Sequence, residues 1–382
     1  MSELTNTQIS ECGFRWHLLT TVSALALLAS VNMRNAKAAD EDAARPTIWI
    51  ELGGQLERVT GQGDPFTPGF LAANQNSIVL VPVSPVQAQN PSPFSFSENG
   101  EISFQPEDSN WVFSAAVSFG RSSNFKHVDH QTNGTHASLS NGTPNRIFET
   151  EKFADTQAHR QESHAILDFS VGKDVGLGMF GNDGSSVLNL GVRFAQFASK
   201  SMFDVRARPD LQAKYATFGA KKAPLLYFHN YHVTGDTSRG FHGVGPSLSW
   251  NGTAPLAGSV QKGEVTFDWN ANAAVLFGRQ KANVRHQESG QYHSKFAHFH
   301  GITSRYTLVY QNSGGHSGVR SVVVPNVGGF AGASYRIENF KVSFGYRADF
   351  FFGAMDGGID TAKKENVGFY GPFASVSIGF GG

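Results

Sequence analysis

GEVTFDWNANAAVLFG, residues 263–278, reads as two interleaved sequences. Val265, Phe267, Trp269, Ala271, Ala273, Val275 and Phe277 occupy one parity, and Glu264, Thr266, Asp268, Asn270, Asn272 and Ala274 the other. Successive side chains of a strand point to opposite faces, so alternation over this length means a strand with one apolar and one polar face. Residues 340–352 repeat it, with Phe340, Val342, Phe344, Tyr346, Ala348, Phe350 and Phe352 against Lys341, Ser343, Gly345, Arg347 and Asp349. The pattern recurs at 111–119, 165–171, 188–194 and 372–380, and more weakly at 47–57, 225–233, 241–251, 302–311, 319–324 and 327–337. No stretch after residue 39 carries the 3.6-residue period of a long amphipathic helix.

Length separates a soluble sandwich from a barrel. Ordinary strands run about 5–6 residues, whereas strands that cross a bilayer need about 9–11. Several segments here reach the longer class, with bulky aromatics on one face and Ser, Asn, Gly and Thr on the other. That distribution fits a transmembrane barrel, whose apolar face meets lipid and whose polar face lines the lumen. Closure lets every backbone group pair inside hydrocarbon.

The chain has 382 residues, with 31 basic and 31 acidic side chains, 42 Gly and 32 Phe. Zero net charge argues against a nucleic-acid partner, which calls for a basic face. Sparse charge and frequent Phe exclude a disordered chain. A negative mean hydropathy argues against a bundle of membrane helices.

Residues 1–38 read as a secretory signal, not as fold. Leu18 to Val31 is an uncharged, mostly apolar run, and Ala36-Lys37-Ala38 supplies a small-x-small cleavage pattern. An uncleaved anchor is the alternative. Cleavage removes 38 of the 382 residues and leaves 344, taking with it the single cysteine, Cys12. The expected mature chain, 39–382, therefore has no disulfide and no thiol chemistry.

Connections follow the barrel pattern. Asn182-Asp183-Gly184 and Arg336 to Phe340 read as tight reversals. Gly61–Ser109, Arg121–Ser163, Ser199–Ala223, Arg279–Ala297 and Ala354–Asn366 read as long polar connections. Residues 82–93 are Pro-rich and unsuited to a central strand. The expectation is one all-β, antiparallel, up-and-down transmembrane barrel of about twelve strands, with a range of ten to fourteen.

Four stretches occur in order: Leu190-Gly191-Val192-Arg193-Phe194-Ala195, Phe241-His242-Gly243-Val244-Gly245-Pro246, Gly345-Tyr346-Arg347-Ala348-Asp349-Phe350-Phe351 and Gly371-Pro372-Phe373. Over residues 186–380 the chain resembles the pore-forming outer-membrane proteins related to the Legionella major outer-membrane protein. The resemblance implies an outer-membrane porin of a Gram-negative bacterium. Such barrels usually end on an aromatic residue, and here Phe380 is followed by Gly381-Gly382.

Motifs for chemistry are few. Gly176-x-Gly178-x-x-Gly181 has the spacing of a dinucleotide fingerprint, but a turn and a strand follow it where a helix is required. His127-x-x-His130, His229-x-x-His232 and His298-x-His300 have spacings a metal accepts. Solvated histidines are the default reading, and no metal or cofactor is expected. Gly315-His316-Ser317-Gly318 suggests a lipid hydrolase, yet adjacent strand residues point to opposite faces. No catalytic residue is assigned.

The charges on the polar parity are more informative. Glu51, Asp168, Arg193, Glu264, Asp268, Arg305, Arg336, Lys341, Arg347 and Asp349 lie within or beside candidate strands. An Arg or Lys facing mid-bilayer lipid costs about 2–4 kcal/mol, which directs these groups inward. Arg193, Asp268, Arg305, Lys341, Arg347 and Asp349 are the expected pore-lining set. They either set the field of an open bore or pair across it and brace the wall. The function expected is passive diffusion of small hydrophilic solutes. The alternatives are an outer-membrane hydrolase and a structural or adhesive barrel with a filled lumen. The partners expected are outer-membrane lipid and lipopolysaccharide, the barrel assembly machinery and small solutes; a homo-oligomer is compatible with these residues, which do not specify one.

Overall fold

The structure, a computed structural model, describes residues 48–60, 70–74, 77–83, 94–106, 109–132, 152–174, 185–208, 211–218, 221–259, 261–296, 305–356 and 364–381. The signal-like segment 1–38, Gly176 to Gly184 and His298-x-His300 lie outside these residues. The strands are β1 (Ile48–Thr60), β2 (Phe70–Asn74), β3 (Ser77–Val83), β4 (Phe94–Phe104), β5 (Trp111–Thr132), β6 (Lys152–Asp174) and β7 (Ser185–Arg208). They continue with β8 (Leu211–Phe218), β9 (Lys221–Ser259), β10 (Gly263–Phe296), β11 (Arg305–Ile337), β12 (Phe340–Asp356) and β13 (Lys364–Phe380).

Ten of these close a ring in the order β1-β4-β5-β6-β7-β9-β10-β11-β12-β13. Closure is made where Ile48 of β1 pairs with Phe380 of β13. Every ladder among the described residues is antiparallel, and the ring follows chain order, which is an up-and-down barrel. β8 pairs with β9 outside the ring, and β2 pairs with β3 in a separate two-stranded sheet.

Ten strands is fewer than the twelve expected, because the strands are longer than the sequence segments suggested. Segments 225–233 and 241–251 are one strand, the 39-residue β9. Segments 319–324 and 327–337 and the described part of 302–311 fall on a single strand, β11. Arg279–Ala297, read as a loop, continues β10 through Phe296. A polar stretch remains a strand when neighbours supply hydrogen bonds, whatever its side chains do. One strand of the ring, β4, and the separate pair β2 and β3 lie inside the stretch Gly61–Ser109 that reads as a connection. The reversal at Arg336 to Phe340 is present, with Glu338 in the left-handed region (φ 48°).

At the end of the barrel that carries Ile48 and Phe380, the outward parity is apolar. On β10 this face runs from Val265 to Phe277 and then turns polar at Arg279 and Lys281. The same change occurs at Arg58 on β1, Arg121 on β5, Gln196 on β7, His242 on β9 and Ser321 on β11. Gln196, His242, Arg279 and Ser321 are successive register partners, so the boundary runs across four strands as one line. Large side chains stand exposed below it, among them Leu190 at 68% and Phe344 at 65%.

The inward parity undergoes the opposite change. Below the line it is polar: Asp168, Asn189, Arg193, Thr266, Asp268, Asn272, Ser334, Ser343, Arg347 and Asp349. At the line Leu276, Val324 and Phe351 from just below it pack with Phe197, Phe241 and Phe369 from just above it into one buried cluster. Phe197 stacks on Phe241 with ring centres 5.6 Å apart and meets Phe351 edge-on at 4.6 Å. The end of β12 turns in from the wall here: its pairing with β11 stops at Phe351, its ladder with β13 is irregular between Phe351 and Met355, and its Cα atoms come within 8 Å of β9. Gln280 on β10 spans the remaining gap and donates to the Gly353 carbonyl at 2.5 Å.

Glycine is needed where backbones approach this closely. A Cβ on Gly245 would sit 1.9 Å from the Val275 carbonyl oxygen, whereas one on Gly240 would meet only the Phe197 carbonyl at 3.4 Å. Gly245→Val is therefore expected to abolish the compact, heat-modifiable form on gels, and Gly240→Ala to retain it. Equal yields of folded protein for the two would contradict the register between β9 and β10.

Candidate functional site

The barrel interior gathers the charged residues, and Arg193 is their centre. It lies on β7, and its inward parity follows from Leu190, Val192 and Phe194 facing out. Its Nε and Nη2 donate to the two Asp168 carboxylate oxygens at 2.7 and 2.9 Å, the two-pronged geometry a guanidinium favours. Nη1 donates to Asn272 Oδ1 at 2.8 Å and to Asn326 Oδ1, and lies 3.8 Å from Asp349. One side chain thus ties together β6, β7, β10, β11 and β12.

Two further ties flank it. Lys341 Nζ lies 2.5 Å from Asp268, which also accepts from Ser334 and Thr266. Arg347 donates to Asn99 Oδ1 at 2.8 Å, over β13 and β1, and its guanidinium covers the Phe373 ring at 5.1 Å. Five of the six expected pore-lining residues (Arg193, Asp268, Lys341, Arg347 and Asp349) therefore face the interior and are held in this network. Arg305 belongs to β11, and its side chain lies outside the described residues. The space left among these groups is a cavity of ≈ 50 Å³, bordered by Glu51, Glu101, Asp168, Arg193, Arg347 and Asp349. About 30 Å³ is one water's share of liquid volume, so the cavity holds very few.

Above the aromatic cluster lies a second polar tier. Arg239 donates to Glu365 at 2.7 Å and to the Asp356 carbonyl at 3.0 Å. Arg160 pairs with Glu162 at 2.9 Å. Beside the cluster, Ser95 donates to Glu57 at 2.6 Å, and His164 Nδ1 lies 3.4 Å from the same carboxylate oxygen. Sequence reading misses Glu57, Arg160, Glu162, His164, Arg239 and Glu365 because they fall in stretches that read as loops or weak strands. One signal is available: Leu276 continues the polar parity of β10 while Arg279 continues the apolar one, which marks an exchange of faces.

Metal and catalytic geometries are poorly developed on the outer wall. His127 binds Asp155 at 2.6 Å and His232 binds Asp204 at 3.2 Å. The side chains of His130, His229 and His316 lie outside the described residues. Among those residues no group of three metal-binding side chains converges. Ser123 Oγ and His159 Nε2 are 3.3 Å apart, but Asp204, in the groove that His159 lines, is engaged by His232 and Arg206. A serine–histidine pair without a group that orients the imidazole lacks the arrangement acyl transfer requires.

Comparison with known proteins identifies no relationship. No family model matches the chain, and no curated protein matches it. Among solved structures, the Ralstonia pickettii toluene transporter TbuX shares 11% identity over 88% of this chain and 90% of its own, with a TM-score of 0.18. The transport unit of the autotransporter AIDA-I from Escherichia coli shares 8% identity over 90% and 93%, with a TM-score of 0.17. Superpositions this poor carry no argument about function, which rests on the geometry of the wall and the bore.

Removing Arg193 leaves Asp168 and Asp349 facing each other without their cation. Arg193→Met is expected to lower unfolding stability by about 3 kcal/mol, the lower end for a broken buried pair because Asp168 still reaches solvent. A urea midpoint unchanged from wild type would remove Arg193 from its central role.

Proposed function

We propose that this chain is an outer-membrane β-barrel whose bore is closed and whose function is exercised on its outer wall and on the part that rises beyond the membrane. The observation that carries this reading is the exchange of faces. A barrel that is apolar outside and polar inside suits lipid; one that is polar outside and apolar inside suits water. Here both occur on the same strands, separated by one line.

The lower part matches a bilayer in height. Val265 to Phe277 spans twelve steps, ~41 Å along the strand at ~3.4 Å each. Tilted by about 45°, this gives a band about 29 Å tall, close to the ~30 Å hydrocarbon core. Tyr335 and Phe340 lie toward its lower edge, and Phe194, Phe277 and Phe352 toward its upper edge, as interfacial girdles require, while Trp250 and Trp269 sit nearer the middle. The tight reversals that follow Ser259 and Ile337 lie at the end with Ile48 and Phe380, which in this reading is periplasmic.

At the line the bore is packed like a soluble core. Opening the bore would expose at least Phe197, Phe241, Leu276, Val324, Phe351 and Phe369. At about 1.5–3 kcal/mol each, that costs on the order of 10 kcal/mol. A membrane potential of 100 mV returns only about 2.3 kcal/mol per charge moved. A ten-stranded ring is also close to the size whose interior side chains fill it. Passage of small solutes is the second reading, favoured by the sequence resemblance to pore-forming outer-membrane proteins and by the charged tier around its residual cavity. In either reading the partners are outer-membrane lipid and the barrel assembly machinery.

Planar-bilayer recording on refolded, heat-modifiable protein separates the two readings. The closed-bore reading expects no stepwise conductance within about 100 mV of zero. Reproducible, voltage-tolerant steps would replace it with the small-solute channel. Independently, Ala271→Arg, at mid-band on the outer face, is expected to weaken folding in lipid by about 2–4 kcal/mol. The same change at Asn283, above the line, is expected to leave it unaltered; equal effects at the two sites would remove the bilayer from this height.

A further inference from the structure

The wall beside the end of β12 has a hollow on its outer side. Gly243 and Gly278 are register partners on β9 and β10 and carry no side chain. Both line a groove of ≈ 860 Å³ that crosses the polar–apolar line and that Lys364 also borders. Its lower part is lined by Leu167, Phe194, Val244 and Phe277, and its upper edge by His242 and Arg279. Phe277 is 56% and Phe194 43% exposed, large apolar groups that a water-facing wall would cover.

The charge above the groove is one-sided. Arg279 and Lys281 follow each other on the outward parity of β10, and Lys200 lies on the same face of β7. None of the three has a hydrogen-bonded or ionic partner among the described residues. Arg279 and Lys281 are two residues apart on one strand, about 7 Å, within the reach of one multiply charged head group. An apolar slot below and unpaired cations above, at the height where head groups begin, match a molecule with acyl chains and phosphate on one frame.

Resting on the membrane reading above, we propose that this groove binds a phosphorylated, multiply acylated lipid of the outer leaflet, with acyl chain along Phe194 and Phe277 and phosphate at Arg279 and Lys281. The volume falls in the range of about 300–1,000 Å³ typical of ligand sites. Aliphatic contacts supply retention, and the two cations supply selection for phosphate.

The test uses full-length mature protein refolded in detergent micelles doped with bisphosphorylated lipid A or with its dephosphorylated form. Lipid retained per barrel is read by native mass spectrometry. Wild type is expected to retain the phosphorylated form about 30-fold better, at about five-fold per cation. Arg279→Gln with Lys281→Gln should erase that preference, and Arg279→Lys with Lys281→Arg should keep most of it. Both pairs lie on the exposed wall, so heat-dependent gel migration verifies that the variants fold. Equal retention of both lipids, or a preference that survives the double Gln variant, overturns the site. Displacement of the lipid by millimolar inorganic phosphate alone overturns the acyl component and leaves an anion site. Flotation with phosphatidylcholine vesicles separates the levels: a barrel that floats without preference loses only this groove, and one that does not float loses the membrane reading too.

Discussion

Everything in this molecule depends on the two-residue period of a strand inside a closed ring. Once the ten strands are joined edge to edge, each side chain faces either the bore or the outside, and no rotation of one strand can change that. The sequence must therefore satisfy two environments at once along every strand. On β10 it does so by placing Asp268, Asn270 and Asn272 inward against Phe267, Trp269 and Ala271 outward, and then inverting. Leu276 is fully buried in the bore while Arg279, three residues on, is exposed outside. The backbone continues without interruption; only the assignment of polarity to parity is exchanged.

That exchange explains why polar and apolar tiers alternate within the bore. Below the line, an inner face of charges stays soluble in its own company, since each of the three cations finds a partner across one or more strands. Arg193 reaches four other strands, and Lys341 and Arg347 reach over their immediate neighbours. Such a tier fixes which strands stand opposite, because a register slip of one residue would turn Arg193 outward and bring Val192 or Phe194 in. At the line, in the membrane reading, water outside begins to supply the driving force that lipid cannot, and Phe197, Phe241 and Phe351 pack as the core of a soluble β protein does. The aromatic tier supplies burial energy, and the ionic tier supplies specificity.

Much of this is legible in the residues alone. The alternation at 263–278 and 340–352 gives strands, faces and the barrel class, and it places five of the six chosen charges on the inner parity. Continuity is what the residues conceal. Thr234 to Gly240 and Arg279 to Glu288 are polar enough to read as breaks. Their place in the ladders comes from hydrogen bonds to β7, β9, β10 and β11 that no local propensity encodes. The partners of Arg193 are equally hidden. Asn272 and Asn326 lie far from it in sequence, and only closure of the ring brings them to one guanidinium.

The same logic bears on the closed bore proposed for this chain. Ring size sets the room inside, and the inward residues decide whether it is filled. Gln280 of β10 and Arg239 of β9 reach the Gly353 and Asp356 carbonyls because the end of β12 leaves β11 after Phe351 and turns into the ring. Gly243 and Gly278 leave room for it, since they place no side chain on the inward face of β9 and β10. The same two glycines line the groove beside Phe277 and Arg279. Filling the interior and shaping the exterior thus share these two positions, so a side chain placed at either would alter both together.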